Sequence, residues 1–200
     1  MCSWCWALRP QWQRLMQQLP HSIHVVKLLG GLAPDTNEPM PEEMRERLQA
    51  TWRRIEQRVP GTHFNYAFWT STTPRRATWP ACRAVIAART QGEGWDEKML
   101  DAIQLAYYEQ ARNPSDNATL IALATEIGLD VVPFTRELEA PATQALLEQE
   151  MTQAKALGVD SYPSLVLEIN HSHWPVSIDY QSADNMLETI DWLLQESAEA

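Results

Sequence analysis

The sequence predicts an α/β fold in which one small unit of helices and strands is divided by a long, all-helical insertion. Two observations predict it. A helical pattern and then a β-branched run occupy residues 1–31, and two further strand-like runs and a closing helix follow residue 158. Between them, only helical patterns recur. Because the two ends supply complementary pieces of one sheet, we predict a domain formed by residues 1–31 and 158–200 and a helical domain formed by residues 32–157.

Composition and charge exclude several classes of protein. The chain has 200 residues, is 44% hydrophobic and carries a net charge of −10. Such acidity argues against nucleic acid or an anionic membrane as the main partner, because both require a basic surface. No apolar run approaches the ~20 residues that span a bilayer, and no signal peptide precedes Cys2. We therefore expect a cytoplasmic protein, in which a disulfide would be transient and catalytic.

The motif Cys2-Ser3-Trp4-Cys5 carries the chemistry. It stands immediately before a helical pattern, and positions i and i+3 share a helix face, so the two sulfurs can meet. Cys2 would lie at the helix N-terminus, where unpaired N–H groups and the helix dipole favour a thiolate. The spacing therefore predicts thiol–disulfide exchange, in which Cys2 attacks and Cys5 resolves.

Other roles for these cysteines remain open. A structural zinc site needs a second closely spaced ligand pair, and neither the isolated Cys82 nor the histidine pairs at 21/24 and 171/173 supply one. We therefore expect no metal and no resident cofactor. Two inert, buried cysteines are also possible, since free cysteine is often a small core residue. Cys82 itself is interpreted as a buried structural thiol.

The elements of the first 159 residues follow from periodicity. Helical spacing predicts a helix from Trp6 to Leu19, in which Pro10 either kinks the helix or marks the end of its first turn. The β-branched run Ile23–Leu29 stops at two glycines and predicts a buried strand. A loop over residues 32–41 opens the insertion. The predicted helices of the insertion cover residues 42–59, 79–90, 96–110, 117–127 and 135–157, the last divided at Pro141.

After Gly158 the period changes from that of a helix to that of a strand. Residues 162–169 predict a strand, residues 170–173 a turn and residues 175–178 its hairpin partner. A stripe of apolar residues predicts the closing helix: Ala183, Met186, Leu187, Ile190, Leu193 and Leu194. Trp12, Trp52 and Trp192 are predicted to pack in the core.

Two stretches resemble a known family. Met1-Cys2-Ser3-Trp4-Cys5-Trp6 at a helix start, and residues 157–166 (Leu-Gly-Val-Asp-Ser-Tyr-Pro-Ser-Leu-Val) before the hairpin, are similar to the DsbA-like branch of the thioredoxin superfamily. Within that branch, the sequence resembles the FrnE-like cytoplasmic disulfide oxidoreductases and isomerases, and residues 29–34, 81–85 and 106–108 share the resemblance. It implies a thioredoxin-like fold with a large all-helical insertion.

The resemblance also implies a substrate site. It places a cis peptide bond between Tyr162 and Pro163 beside the cysteine pair, although an ordinary trans proline at a strand start is the alternative. Together with Ser3 and Trp4, these residues would bind the substrate. The backbone of an extended peptide could form main-chain hydrogen bonds with the backbone of Tyr162. The implied substrates are protein or peptide thiols and disulfides, with glutathione as a further co-substrate.

One feature departs from the family. Its fold has a central strand leading into the cysteine motif, whereas only Met1 precedes Cys2 here. The expected fold therefore lacks that strand, which would leave backbone groups of its neighbours unpaired. We hypothesise that the natural protein begins upstream of Met1; a neighbouring chain filling the slot is the alternative.

Two other functions compete with thiol–disulfide exchange. Kappa-class glutathione transferases and 2-hydroxychromene-2-carboxylate isomerases are similar in architecture, but usually present a lone serine where Cys2 stands. A redox-inactive module that binds a partner peptide is the third possibility, with Trp4 and Trp6 forming an apolar contact surface.

Overall fold

Helices form most of the computed structural model, which describes residues 1–199. The helices are α1 (Ser3–Gln18), α2 (Glu42–Arg58), α3 (Phe68–Ser71), α4 (Trp79–Arg89), α5 (Trp95–Tyr108), α6 (Asn117–Ile127), α7 (Val131–Leu138), α8 (Pro141–Ala156) and α9 (Ala183–Glu199). The strands are β1 (Leu165–Ile169) and β2 (Ser172–Val176). Within residues 1–199, no helix combines the length and apolar content needed to cross a membrane.

The two strands form the predicted hairpin. They pair antiparallel, with Leu165 opposite Val176 and Ile169 opposite Ser172. Asn170 and His171 make the turn with φ values of 50° and 64°, the left-handed conformations that a two-residue type I′ turn requires. The turn is thus shorter than predicted, and Ser172 already belongs to β2.

The strand predicted over Ile23–Leu29 is wrong. No strand is assigned there, because in residues 1–199 the only strand pairing is that between β1 and β2. The segment is also not buried throughout as predicted, since Ile23 packs against a core cluster while Val26 is 61% exposed. A strand also needs a neighbour for its backbone; the N–H of Leu29 instead donates to the Glu150 carboxylate at 2.8 Å.

Two prolines affect helices in different ways. Pro10 does not end α1, which runs from Ser3 to Gln18 with the proline inside it. Pro141 begins α8, where its missing N–H removes no helical hydrogen bond. The predicted break in the long 135–157 run is therefore confirmed, although α7 already begins at Val131. The short helix α3 was not predicted, because four residues show no helical period.

Three apolar clusters fill the interior. The first lies between α1, α9 and the hairpin and includes Leu8, Leu15, Val176, Met186 and Ile190. The second lies among α4 to α7 of the insertion and includes Val85, Met99, Ile103, Leu120 and Phe134. The third, the aromatic cluster, contains Trp6, Trp52, Phe64, Phe68, Trp69, Tyr107 and Tyr108. Because α1 contributes to the first and third clusters, it joins the terminal elements to the insertion.

Of the three tryptophans predicted to pack in the core, two do so and one does not. Trp52 is completely buried at the centre of the aromatic cluster, and Trp12 packs partly buried against the cluster beside α1 and α9. The core position predicted for Trp192 is wrong, since that side chain is 57% exposed. Met186 and Ile190 occupy the inner face of α9, which leaves Trp192 on the outer face.

Candidate active site

The first turn of α1 brings the two cysteines together. Cys2 is the N-cap residue, with extended φ and ψ of −102° and 114°. Its Sγ accepts a hydrogen bond from the backbone N–H of Cys5 at 3.3 Å. Such a cap satisfies one of the N–H groups that a helix start leaves without a partner. A sulfur in this position is stabilised most when it is negatively charged.

The two thiols differ in acidity. The hydrogen bond from the Cys5 side chain lowers the pKa of Cys2 to about 7, although burial acts in the opposite direction. The same hydrogen bond, together with burial, raises the pKa of Cys5 far above its ordinary value. Near neutral pH, roughly half of Cys2 is therefore thiolate while Cys5 keeps its proton. This is the asymmetry that an attacking and a resolving cysteine require.

A loop from the far end of the chain covers the reactive sulfur. The peptide bond between Tyr162 and Pro163 is cis, as the resemblance implies. The carbonyl oxygen of Tyr162 accepts a hydrogen bond from the thiol of Cys2, with the sulfur and oxygen 3.2 Å apart. The structure therefore places Cys2, Cys5, Tyr162 and Pro163 in one site.

Gly30 holds that loop in place. The hydroxyl of Tyr162 donates to the carbonyl of Gly30 at 3.2 Å. The phenol ring lies so close that a Cβ at position 30 would be 2.2 Å from its Cζ. Glycine is needed here because any side chain would occupy the place of the ring. Sequence reasoning missed this role; the glycine pair after a β-branched run was the available signal, since such glycines mark close backbone approach.

Beside the cis-proline loop lies an open groove of about 690 Å³, lined by Trp4, Arg58, Tyr162, Pro163 and Tyr180 among others. The rings of Trp4 and Tyr180 have centroids 5.0 Å apart and together form one aromatic wall. Burial raises the pKa of Tyr180 to about 12, with the neighbouring cysteines adding to the rise, so the phenol stays neutral. Neither Tyr180 nor Arg58 was predicted as a site residue, because each comes from an element remote from the motif.

Ser3 does not line this groove. It is 9% exposed, and its Oγ accepts a hydrogen bond from Nε1 of Trp52 at 2.9 Å. The substrate contact predicted for Ser3 is not supported by this position; its hydroxyl ties α1 to the aromatic cluster of the insertion.

Trp6 also faces inward. It is 8% exposed and stacks on Tyr108 with centroids 5.5 Å apart. The expectation that Trp4 and Trp6 together form an exposed contact surface is therefore wrong for Trp6. Trp4 alone reaches the groove.

The other candidates make no contact with the reacting sulfur. Cys82 belongs to α4, and burial, the largest cause, raises the pKa of its thiol. It lies near the Tyr162 side of the site, since, after burial, its charge is the next cause that raises the pKa of the Tyr162 phenol. His171 is fully exposed at the hairpin turn, near the carboxylate of Glu168. Among the residues that the structure describes, no group of three histidine, cysteine or acidic side chains could hold a metal ion.

Known proteins share this architecture. The thioredoxin family model Thioredoxin_5 matches residues 1–182. The structure is similar to that of a candidate protein disulfide isomerase from Nitrosomonas europaea, with 24% identity, a TM-score of 0.81, and coverage of 98% of this chain and 94% of that one. It is also similar to the cytosolic disulfide reductase DsbM from Pseudomonas aeruginosa, with 21% identity, a TM-score of 0.77, and coverage of 98% and 95%.

One relative is named as an adapter protein and not as a disulfide isomerase or reductase. The chain is 23% identical over 196 residues to the ClpXP adapter protein SpxH of Shouchella clausii. The match covers 94% of this chain but only 64% of that protein. The chain therefore spans less than two thirds of the length of this relative.

Proposed function

This chain belongs to the thioredoxin family and has a DsbA-like fold, and from that premise we propose that it is a thiol–disulfide oxidoreductase acting through Cys2 and Cys5. One observation carries the proposal: the N-capping sulfur of Cys2 lies 3.2 Å from the carbonyl oxygen of Tyr162 in the cis-proline loop. With a pKa of about 7, this sulfur is ionised often enough to attack a disulfide at neutral pH.

The reaction follows from the two acidities. The Cys2 thiolate attacks one sulfur of a substrate disulfide; the substrate S–S bond breaks, and its other sulfur leaves as a thiolate that takes a proton from water. Cys5 then loses its proton and attacks Cys2, which releases the second substrate sulfur and forms a Cys2–Cys5 disulfide. Two electrons pass from the protein to the substrate. The reverse sequence oxidises a dithiol, and an exchange that stops at the mixed disulfide can isomerise a protein substrate.

The proposed substrates are protein or peptide thiols and disulfides, with glutathione as a small co-substrate. The open groove beside Pro163 supports an extended peptide, because backbone groups of the loop can pair with it. The related DsbM has also been solved with GSH, which supports a small thiol as the agent that restores the dithiol. DsbM is described as cytosolic, and we propose the cytoplasm for this chain too, without a resident cofactor.

Trapping of mixed disulfides tests the proposal. In Cys5→Ser, Cys2 can still attack a peptide disulfide, but no second thiol is present to release the bound peptide. The mixed disulfide at Cys2 should therefore accumulate, as measured by intact mass without reductant. Cys2→Ser should yield no adduct. Cys82→Ser is the matched cysteine variant: because Cys82 lies near Tyr162, its adduct yield shows whether this third thiol contributes to the reaction. Equal adduct yields from the Cys2 and Cys5 variants would contradict the assigned roles.

The similarity to SpxH favours one second candidate, a protein-binding adapter in which the cysteines are dispensable. A ClpXP degradation assay with the Cys2→Ser/Cys5→Ser double variant separates the two. Stimulated degradation by the double variant, together with no thiol exchange by the unmodified chain, would favour the adapter; exchange that disappears in the double variant favours the oxidoreductase.

A further inference from the structure

The groove beside the cis-proline loop is lined, within the described chain, by one cationic residue, Arg58. This residue ends α2, is exposed and lines the groove together with Trp4 and Tyr180. The ion pairs found in residues 1–199 do not include it. Arg58 therefore lines the groove without an ion pair to any carboxylate in the described part of the chain.

Asp179, the only carboxylate among the lining residues, is already occupied. Its oxygens accept hydrogen bonds from the backbone N–H groups of Gln181 at 2.7 Å and Ser182 at 3.0 Å, and from the side-chain amide of Asn185 at 2.6 Å. These bonds lower the pKa of Asp179 and hold the loop that leads into α9. Asp179 therefore stays ionised, but its oxygens are held by neutral amide donors before α9 and it forms no ion pair with Arg58.

Resting on the proposed function, we propose that Arg58 selects thiol and disulfide substrates that carry a carboxylate close to the reacting sulfur. A guanidinium binds a carboxylate through two parallel hydrogen bonds, which gives direction as well as energy. The chain as a whole has a net charge of −10 and repels anions at long range. A preference for an acidic substrate therefore has to arise locally, and Arg58 is the cation in the groove.

The aromatic wall completes this recognition. Trp4 and Tyr180 can cover the apolar part of a peptide beside its cysteine, while Arg58 binds an acidic side chain or a terminal carboxylate next to it. The substrate class is thus an acidic thiol peptide. Glutathione and the acidic segments of proteins are two sources of the same chemistry.

Matched substrates test the proposal. Three peptide disulfides of equal length, with Glu, Gln or Lys on both sides of the cysteine, would be compared by kcat/KM for the unmodified chain and for Arg58→Gln. We expect the acidic peptide to be preferred, and Arg58→Gln to lower the ratio of acidic to neutral rates about fivefold, chiefly through KM. Raising the salt concentration should weaken the preference of the unmodified chain, since the groove is open to solvent.

Arg54→Gln is the control, because Arg54 is exposed on the same helix one turn earlier, does not line the groove and changes the net charge equally. For Arg54→Gln, the ratio of kcat/KM for the acidic and neutral peptides should equal that of the unmodified chain. Arg58→Lys, which keeps the charge without the planar fork, should retain part of the preference; it also tests the proposal should Arg58→Gln fold poorly.

The outcomes are distinguishable. If all variants still exchange disulfides and show the same ratio of kcat/KM for the acidic and neutral peptides, the role of Arg58 is overturned. The proposed function is then unaffected. An equal loss in Arg54→Gln and Arg58→Gln also overturns it, because that result shows general charge steering. No exchange by the unmodified chain with any peptide overturns the proposed function and this inference together. A loss in Arg58→Gln that is specific to the acidic peptide supports the proposal; the same comparison made with glutathione disulfide shows whether that source of the carboxylate is also recognised.

Discussion

The Cys2–Cys5 turn is supported differently on its two sides. On the loop side, the Tyr162 carbonyl contacts the reacting sulfur directly, and Gly30 holds the Tyr162 ring. On the insertion side, Trp52 donates a hydrogen bond to Ser3 from within the aromatic cluster, to which Trp6 of α1 also belongs. The loop side has few contacts, but one of them reaches the sulfur. We therefore expect changes on the insertion side to act mainly on stability, and changes on the loop side to act mainly on reactivity.

The largest effect on stability is expected from Trp52→Ala. The indole is fully buried and packs on Phe64 and Trp69 with ring centroids 4.7 and 4.8 Å away. Removing it should lower the free energy of unfolding by about 3–5 kcal/mol, as measured by denaturant titration of the reduced protein. Trp52→Phe, which keeps most of the packing, should lose less. A loss below about 1 kcal/mol for the alanine variant would show that the insertion does not support the motif in this way.

Gly30→Ala tests the loop side. The added methyl would overlap the Tyr162 ring, so the loop must move and the carbonyl must leave Cys2. We expect about 1–3 kcal/mol of lost stability, and a fall in kcat/KM of roughly ten- to a hundredfold, since displacement of about 1 Å at a reacting atom has effects of that size.

The double variant Gly30→Ala/Tyr162→Ala separates the two effects. Removing the ring relieves the overlap, so stability should partly return while kcat/KM stays low. Unchanged stability and rate in Gly30→Ala alone would contradict the close approach.

The ionisation of Cys2 makes stability depend on pH. Its pKa falls from an ordinary 9.0 to about 7 on folding; the resulting stabilisation is complete above about pH 9 and is lost as the pH falls through 7. The free energy of unfolding of the reduced chain, measured relative to Cys2→Ser, should therefore increase from pH 6 to pH 9, by up to about 2 kcal/mol.

Alkylation by iodoacetamide provides the independent check. Cys2 should react with a midpoint near pH 7, whereas Cys5 should stay unreactive over the same range because its pKa is raised. A stability difference that does not vary with pH, or equal reactivity of the two thiols, would contradict the asymmetry between them.

The smallest effect is expected from Ser3→Ala. The substitution leaves Nε1 of Trp52 without its acceptor inside the aromatic cluster, which should cost about 1–2 kcal/mol of stability and leave kcat/KM close to that of the unmodified chain. Ser22→Ala, at an exposed position, is the control and should change neither. A large drop in kcat/KM with unchanged stability would return Ser3 to the substrate-contact role that the sequence suggested.

Features that depend on near neighbours in the chain could be predicted from the sequence. A helix beginning at the cysteine motif, the hairpin after Gly158 and the break at Pro141 each follow from a few consecutive residues. The inward direction of Ser3 and the outward direction of Trp192 could not be predicted, because a helical period identifies a face only once the packing partners are known. Arg58 and Gly30 were missed for the same reason: their roles come from elements far along the chain.

The sequence by itself determined the spacing of the two thiols, their place at a helix start and the alternation of the hairpin, since these depend on local geometry. Only the tertiary structure decided that the Tyr162 carbonyl meets Cys2 across 160 positions of the chain. It also decided that the β-branched run after α1 forms no ladder. The physical reason is shared: a contact between distant segments, like a strand, exists only when a second piece of backbone lies within hydrogen-bonding distance.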